Sequence, residues 1–230
     1  MRIDVISIFP EMFKLLTEYG ITRRAFASGL IEGKFWQLRD FTDNKYQSVD
    51  DTPYGGGAGM IMKPEPIYQA VTEIKNELSN KFIEPRIVTL SAVGKPLTQK
   101  RIIELSKLPA ITFICTRYEG IDQRIIDTIV DEVFNVGEFV VSGGELPAMM
   151  MIDSIIRELP GSIENKSLNE ESFKLQDEEG NLLLEYPQYT RPENFRNIKV
   201  PDVLLSGDHP KIAKWRKEMA IANTKKYRNK

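Results

Sequence analysis

The sequence contains one cysteine and one histidine in 230 residues, and these two scarcities exclude several kinds of site. A single cysteine cannot form an intrachain disulfide, and a zinc site of cysteine and histidine ligands is not expected. Cys115 lies in the apolar run 111–115, which favours a packed core side chain over a nucleophile. His209 falls in the predicted second domain, where a helix cap or a phosphate contact is expected rather than a catalytic base. The low cysteine content predicts a reducing, cytoplasmic compartment.

Long apolar runs and a strong net charge are also lacking. No run of about 18 apolar residues occurs, so no membrane span is predicted. Residues 1–10 place an acid among apolar residues without a small-residue cleavage site, which indicates a first β-strand rather than a signal peptide. The formal net charge is −2, but residues 211–230 hold eight basic residues and one acid, a local charge of +7. This basic end is either a solvated tail or a surface that attracts phosphates.

A strand, a loop and a helix follow one another three times in the middle of the chain. Alternating strands and helices predict an α/β fold with a mostly parallel sheet and helices on both faces. The loops after the strands should then lie together beyond the carboxyl ends of the strands, where such sheets bind ligands. The predicted strands are 86–90, 110–115 and 132–134, and the loops after them are 91–96, 116–120 and 135–144. The pattern before them predicts a strand ending at Pro10, a helix from Glu11 to near Gly20, a strand at 35–38 and a helix near 65–78.

The chain is predicted to divide into three parts. Residues 1–161 hold the α/β pattern. Residues 162–185 carry seven acids against two lysines and few apolar side chains, which predicts a mobile, solvated linker. Residues 186–230 are predicted to form a small second domain with a helix capped by Ser206 or Asp208 and carrying Ile212, Trp215 and Met219.

A first glycine cluster, residues 55–60, holds four glycines in five successive positions. It lacks the Lys-Ser/Thr pair of a phosphate-binding P-loop and does not follow the first strand, so neither a P-loop nor a dinucleotide fingerprint is predicted. The cluster is either a simple turn or a place where the backbone closely approaches another group.

A second glycine pair, in Ser142–Gly144, comes directly before a predicted helix. Exposed amides beside the apolar run 136–141 would suit a purine ring, with Tyr118 and Phe139 available for stacking. The alternative is a tight helix start in which Glu138 and Glu145 are merely solvated. The residues alone leave both interpretations open.

Six motifs, taken in order and spacing, resemble the bacterial tRNA (guanine-N1)-methyltransferase family over nearly the whole chain. Each motif is weak alone, whereas the ordered set is specific. The motifs are Ile8–Phe13, Tyr54–Met60, Arg117–Asp122, Val141–Met149, Tyr189–Pro192 and Val203–His209.

The resemblance implies the SPOUT methyltransferase fold, an α/β domain whose carboxyl-terminal part forms a deep trefoil knot, followed by a small helical carboxyl-terminal domain. It also implies an obligate homodimer with composite active sites, S-adenosylmethionine as cofactor and tRNA as partner. The implied cofactor-binding residues are Leu90, Ser91, Thr116, Glu119, Val136, Gly137, Glu138, Phe139, Val140, Val141, Gly143, Gly144 and Pro147. The implied tRNA contacts are Asp50, Gly59, His209, Lys214 and Arg216.

Methyl transfer to guanine N1 needs a general base for the N1 proton and a cation near the charge that develops on O6. The resemblance gives these roles to an aspartate just before Ser-Phe in the linker and to an arginine late in the preceding helix. They correspond here to Glu171 and Arg157. Glu171 departs from the family because its reach is one methylene longer. Thr116 in place of a glycine, Gln188 where histidine is common and a linker longer than usual after Phe173 are further departures.

The predicted activity is methylation of N1 of the guanine at position 37 in the tRNA anticodon loop. The alternative is a catalytically impaired homologue that still binds tRNA, because Glu171 replaces the usual aspartate. A non-catalytic RNA-binding protein would account for the basic end and the glycine loops but not for the full set of cofactor motifs. Another nucleotide-binding transferase would need a phosphate cradle that the sequence lacks. No metal site is predicted.

Overall fold

The computed structural model describes residues 1–163 and 170–228. The chain divides into two compact units, Met1–Ile163 and Glu164–Lys230. Part of the predicted linker, residues 164–169, lies outside the described residues.

The first unit is built on a five-stranded sheet in which every pair of neighbouring strands is parallel. The spatial order is β2-β1-β6-β5-β7, and β3 and β4 form a separate antiparallel pair. The strands are β1 (Arg2–Ser7), β2 (Glu32–Gln37), β3 (Asp50–Asp51), β4 (Ile61–Met62), β5 (Arg86–Pro96), β6 (Ala110–Ile114) and β7 (Glu132–Asn135).

Six α-helices and two 3-10 helices connect these strands within the described part of the first unit. Several begin at residues that suit a helix start: Pro64 opens α3, and the Thr98 hydroxyl before α4 accepts a hydrogen bond from the Arg101 amide. The helices are α1 (Lys14–Glu18), α2 (Gly20–Ala27), α3 (Pro64–Ser79), α4 (Gln99–Leu105), α5 (Gln123–Thr128) and α6 (Glu145–Glu158), and the 3-10 helices are Pro10–Phe13 and Leu38–Phe41.

Apolar side chains form one core on each face of the sheet. Along β1, Ile3 and Val5 belong to the core shared with α1, α2, α4 and α6, whereas Ile6 belongs to the core shared with α3 and α5. Because helices cover both faces of the sheet at β1, all six of its residues are buried, including the polar Arg2, Asp4 and Ser7. The predicted α/β class with a parallel central sheet is confirmed.

Two local predictions differ from the structure. The single helix expected from Glu11 to near Gly20 is instead the 3-10 helix, α1 and then α2, which begins at Gly20. Gly20 has a φ of 66°, so it turns the chain between two helices rather than ending the helical region. The loop expected at 91–96 is in part strand, because β5 bulges out after Leu90 and pairs with β7 again at Lys95 and Pro96.

The second unit contains a 20-residue helix, α8, which begins at His209. Of the two caps considered, Asp208 fills the role, since its carboxylate accepts a hydrogen bond from the Lys211 amide at 3.2 Å. This helix spans His209–Arg228, and the other elements in the described part of this unit are β8 (Asn194–Phe195), β9 (Ile198–Lys199) and α7 (Asp202–Leu205).

The described part of the acidic segment forms a hairpin against α8. Leu183 exchanges backbone hydrogen bonds with Phe173 and Leu175 at 2.9 and 2.8 Å, and its side chain is buried. The Leu184 amide donates to the Thr224 hydroxyl on α8 at 2.8 Å. The mobility of residues 162–185 stays a prediction.

None of the described helices is long and apolar enough to cross a membrane. Within residues 1–163 and 170–228, no group of three or more His, Cys, Asp or Glu side chains is placed to hold a metal ion.

Candidate functional site

A cleft of about 450 Å³ opens beyond the carboxyl ends of β5, β6 and β7. Three loops line it: the bulge of β5, residues 91–94, the loop 116–120 after β6, and the loop 136–144 between β7 and α6. The strand pattern of the sequence predicts these loops on one edge of the sheet, and the structure brings them together there.

The first loop is fixed to β7 by a glycine and an asparagine. A Cβ on Gly94 would lie 2.5 Å from the carbonyl carbon of Phe134, so only glycine fits this close backbone contact. The Asn135 side chain donates to the Ala92 carbonyl at 2.9 Å and accepts from the Gly137 amide at 2.6 Å. Neither Gly94 nor Asn135 was predicted, because an isolated glycine before Lys-Pro and an asparagine after a strand have no specific sequence signal.

The second loop, Thr116–Gly120, connects β6 to the rest of the cleft. The Thr116 carbonyl accepts a hydrogen bond from the Gly144 amide at 2.7 Å, and its hydroxyl donates to the Leu90 carbonyl at 3.3 Å. The Thr116 hydroxyl therefore joins the second loop to β5 at Leu90, directly before the first loop. Tyr118 has a φ of 59°, a strained value for a tyrosine that marks a sharp turn at this point.

The third loop combines close backbone contacts with exposed apolar side chains. A Cβ on Gly144 would lie 2.7 Å from the Thr116 amide, which explains the need for glycine there. Phe139, Val140 and Val141 are all exposed, with Val140 at 91%. Exposed apolar groups beside backbone amides suit the face and the edge of a purine ring, which is one of the two interpretations that the residues alone leave open.

The alternative interpretation of the second glycine pair is partly right and partly wrong. The pair does form a tight helix start, since Gly144 contacts the second loop closely. Glu145 is not solvated, however, because its side chain has 0% exposure. It accepts hydrogen bonds from the Ser7 hydroxyl at 2.7 Å and from Nε of Arg117 at 2.8 Å.

The first glycine cluster is joined to the second loop of the cleft. The Glu119 amide donates to the Met60 carbonyl at 3.0 Å, and a Cβ on Gly59 would lie 2.5 Å from Cγ of Glu119. At Gly55 and Gly56 the space around a Cβ is open, although φ is positive at both. The cluster is therefore a turn at its beginning and a close backbone contact at Gly59.

Asp50 lies near the same loop. Burial, with the neighbouring Asp50 carboxylate, raises the pKa of the Tyr118 hydroxyl above its usual value. Two residues expected at the tRNA are therefore next to the cleft: Asp50 neighbours Tyr118, and Gly59 contacts Glu119.

Comparison with known proteins gives a consistent result. A sequence model of the family described as tRNA (Guanine-1)-methyltransferase TrmD matches residues 1–230. The chain belongs to this family. It is 50% identical to the tRNA (guanine-N(1)-)-methyltransferase of Buchnera aphidicola subsp. Schizaphis graminum over 221 aligned residues. This alignment covers 96% of the chain and 80% of that protein. Identity to the enzyme of the same name from Thiobacillus denitrificans is 46% over 224 residues, covering 97% of the chain and 93% of that protein.

The family resemblance seen in six motifs and the predicted enzyme class are thereby confirmed. For the methyltransferase cofactor, twelve of the thirteen implied residues line the cleft, and Glu138 is the exception. The twelve are Leu90, Ser91, Thr116, Glu119, Val136, Gly137, Phe139, Val140, Val141, Gly143, Gly144 and Pro147.

Of the two residues implied for methyl transfer, Arg157 belongs to the first unit and Glu171 to the second. Arg157 is half-buried in the last turn of α6, and its carbonyl accepts a hydrogen bond from the Ser162 hydroxyl at 3.0 Å. One turn earlier, burial raises the pKa of the Asp153 carboxyl and the charge of Arg157 opposes that rise. The Glu171 carbonyl accepts from the Lys174 amide at 3.2 Å, which starts the turn containing Ser172.

The remaining tRNA candidates of this methyltransferase lie on α8. His209 begins the helix and is exposed, and Lys214 is 4.0 Å from Glu218 one turn later. Arg216 packs over the Tyr186 ring at 4.8 Å and lies 3.5 Å from the Glu170 carboxylate. Arg216 therefore also stabilises the second unit itself.

Proposed function

We propose that this chain transfers a methyl group from S-adenosylmethionine to N1 of the guanine at position 37 in the tRNA anticodon loop. The observation that carries the proposal is the convergence of twelve implied cofactor residues on one cleft, ten of them from the three loops and Leu90 and Pro147 from the adjoining β5 and α6. Membership of the tRNA (guanine-N1)-methyltransferase family supports the substrate. Its tRNA substrate and its reduced, buried cysteine suit a cytoplasmic location.

The residues of the cleft fit S-adenosylmethionine. The cleft volume lies in the range of small-molecule sites. Side chains at Gly143 and Gly144 would collide with Arg117 and with the second loop, so the third loop needs glycine at both positions to form this wall of the cleft. Phe139 and Val140 offer apolar surface to an adenine ring.

S-adenosylmethionine, when bound, supplies an electrophilic methyl group on a sulfonium. The chain must then make guanine N1 a nucleophile, because N1 carries a proton at neutral pH. In the proposal, Glu171 accepts that proton and Arg157 stabilises the negative charge that develops on O6. Carboxylate and guanidinium suit these roles without a histidine, and the one histidine, His209, belongs to the proposed tRNA surface.

Glu170 is a competing candidate for the base, and its contacts argue against it. The Tyr186 hydroxyl donates to the Glu170 carboxylate, and Arg216 lies 3.5 Å from the same oxygen. These contacts give Glu170 a structural role within the second unit. The role of base goes to Glu171 because it is the residue directly before Ser172-Phe173, as the family pattern requires.

The proposal includes a knotted, SPOUT-type first domain. The loop 136–144 leaves β7 at one edge of the sheet and reaches Thr116 at the end of β6, although β5 lies between these strands. Such a crossing suits a chain threaded through a loop of its own. We also propose a homodimer with composite active sites, and the exposed apolar side chains of Leu146 and Met150 on α6 support it. In addition, we propose that the second domain binds tRNA through α8.

One assay tests the proposed activity. The protein is incubated with S-adenosylmethionine labelled in the methyl group and an unmodified tRNA that carries guanine at position 37. We expect incorporation of label into this tRNA and none into a matched tRNA with adenine at that position. Binding of both substrates without incorporation would identify an impaired homologue, and equal labelling of both tRNAs would show that the site is wrong.

A further inference from the structure

Glu145 is a buried carboxylate that has no role in the proposed reaction. It occupies the first position of α6, where a negative charge is favoured by the helix dipole. Its two oxygens accept from the Ser7 hydroxyl at 2.7 Å and from Nε of Arg117 at 2.8 Å, and Arg117 is only 17% exposed. A charge removed from water is tolerated when it is paired and hydrogen-bonded in a defined geometry. This pair therefore has one arrangement.

Arg117 connects that arrangement to the third loop of the cleft. Its Nη1 donates to the Ser142 carbonyl at 3.2 Å, and a Cβ on Gly143 would lie 2.6 Å from its Cδ. The guanidinium also lies 4.8 Å from the centre of the Phe9 ring, just after β1. One side chain thus contacts the end of β1, the start of α6 and the third loop.

We infer that the Arg117–Glu145 ion pair is a positioning device that holds Ser142–Gly144 in the shape that receives the cofactor. The inference rests on the proposed function, because it assigns a role within that same cleft. Ser142, Gly143 and Gly144 all line the cleft, Arg117 lines it beside them, and Glu145 is fully buried and holds Arg117 in place. Neither charged group has to touch the reacting atoms.

Loss of the pair should weaken cofactor binding and leave turnover at saturating cofactor nearly unchanged. Pre-organisation of a binding loop lowers the free-energy cost of binding, so a loosened loop raises the Kd. The base and the cation of the proposed reaction belong to other segments, so kcat should stay within about threefold.

Two variants test the inference with little change in shape. Arg117→Lys keeps the charge but loses the planar fork that reaches Glu145 and Ser142 together. Glu145→Gln keeps the size and removes the charge. The Kd values for S-adenosylmethionine and S-adenosylhomocysteine are measured by calorimetry, with KM and kcat from the methylation assay. We expect both Kd values to rise at least tenfold in each variant, with KM rising in parallel.

A matched control lies at the other end of the same sheet. Arg2 also forms a buried ion pair, with Asp4 at 2.7 Å, at the start of β1 and away from the cleft. Arg2→Lys therefore disturbs a comparable pair and should lower the Tm while changing the Kd by less than twofold. If Glu145→Gln does not fold, Ser7→Ala replaces it, because this change removes the hydroxyl that donates to Glu145 and that also accepts from the Phe9 amide at 2.9 Å.

The possible outcomes distinguish failure of the proposed function from failure of the positioning role of Arg117 and Glu145. If the unaltered protein does not bind S-adenosylmethionine, the proposed function fails. If it binds, and Arg117→Lys and the folded Glu145 or Ser7 variant bind within twofold of it, the positioning role is wrong. A rise in Kd for Arg2→Lys as large as for Arg117→Lys would also overturn it, since the effect would then reflect general destabilisation.

Discussion

The side chain of Glu119 lies against the α-carbon of Gly59, where a Cβ would be 2.5 Å from Cγ and 2.8 Å from Cδ. A residue that lines the cleft is thus in contact with the glycine cluster that the family resemblance places at the tRNA. The Glu119 amide and the Met60 carbonyl add a hydrogen bond of 3.0 Å beside this contact. A shift in either loop must therefore move the other.

Gly59→Ala should disturb both loops. The new methyl group would collide with Glu119, and φ of 80° at this position is unfavourable for any other residue by about 1 kcal/mol. We expect kcat/KM for tRNA to fall at least tenfold in steady-state methylation assays. Gly56→Ala is the matched control, because φ is 78° there and the space around its Cβ is open. An equal loss in both variants would mean that backbone strain, rather than the Glu119 contact, is responsible.

The cleft could be predicted from the sequence because its signals are local. Strands, loops and glycine pairs follow one another in a recognisable order, and parallel strands bring their carboxyl ends to one edge. The role of Glu145 could not be predicted in this way. Its partner Ser7 is 138 positions away in the chain, and an acid after Gly-Gly has the pattern of an ordinary solvated helix start.

Gly20 and Gly94 show a second limit of sequence reasoning. Gly20 was expected to end a helix, but it is also the first residue of α2, and its positive φ turns the chain from α1 into α2. Gly94 gave no signal, yet it allows β5 to bulge against the backbone of Phe134. In both cases the effect of the glycine depends on the tertiary structure around it, and the sequence pattern does not contain that information.

Glu171→Ala should lower kcat for methyl transfer by about 10² to 10⁴-fold, the usual contribution of a general base. Cofactor affinity, measured by calorimetry, should stay close to that of the unaltered protein. Glu171→Asp tests the additional methylene, since it restores the family's usual side chain. Glu170→Ala is the adjacent control and should retain most of the activity. Near-normal turnover in Glu171→Ala would remove Glu171 from the mechanism.

Arg157→Ala should lower kcat by about 10² to 10³-fold, as expected when a group that stabilises developing charge is removed. Single-turnover rates at saturating cofactor and tRNA measure this effect. Because the proposed role concerns the guanine, the Kd for S-adenosylmethionine should not change. A variant with weaker cofactor binding and normal single-turnover rates would place Arg157 at the cofactor instead.

Cys115 should make the fold less stable at alkaline pH. Burial raises the pKa of its thiol well above the usual value, so the folded protein keeps the proton that the unfolded chain loses above about pH 8.5. Its contribution to stability is then present below the unfolded pKa and falls as pH rises above it. Urea unfolding at pH 7 and pH 9.5 should show a smaller loss of stability for Cys115→Ala than for the unaltered protein. Equal losses would show that the thiol is not responsible.

The acidic segment that carries Glu171 should change its exposure when both substrates bind. Its described part pairs with α8 through the hydrogen bond from Leu184 to Thr224 and an ion pair of 2.7 Å between Glu178 and Lys217. Exposed ion pairs of this kind contribute little, so tRNA phosphates can compete for the lysine. Limited trypsin digestion at Lys174 should therefore differ between the free protein and the protein with S-adenosylhomocysteine and tRNA. We expect protection only when both are present, because the base is proposed to be ordered by the complete complex. Equal cleavage in all four combinations of the two ligands would show that the segment does not respond to its substrates.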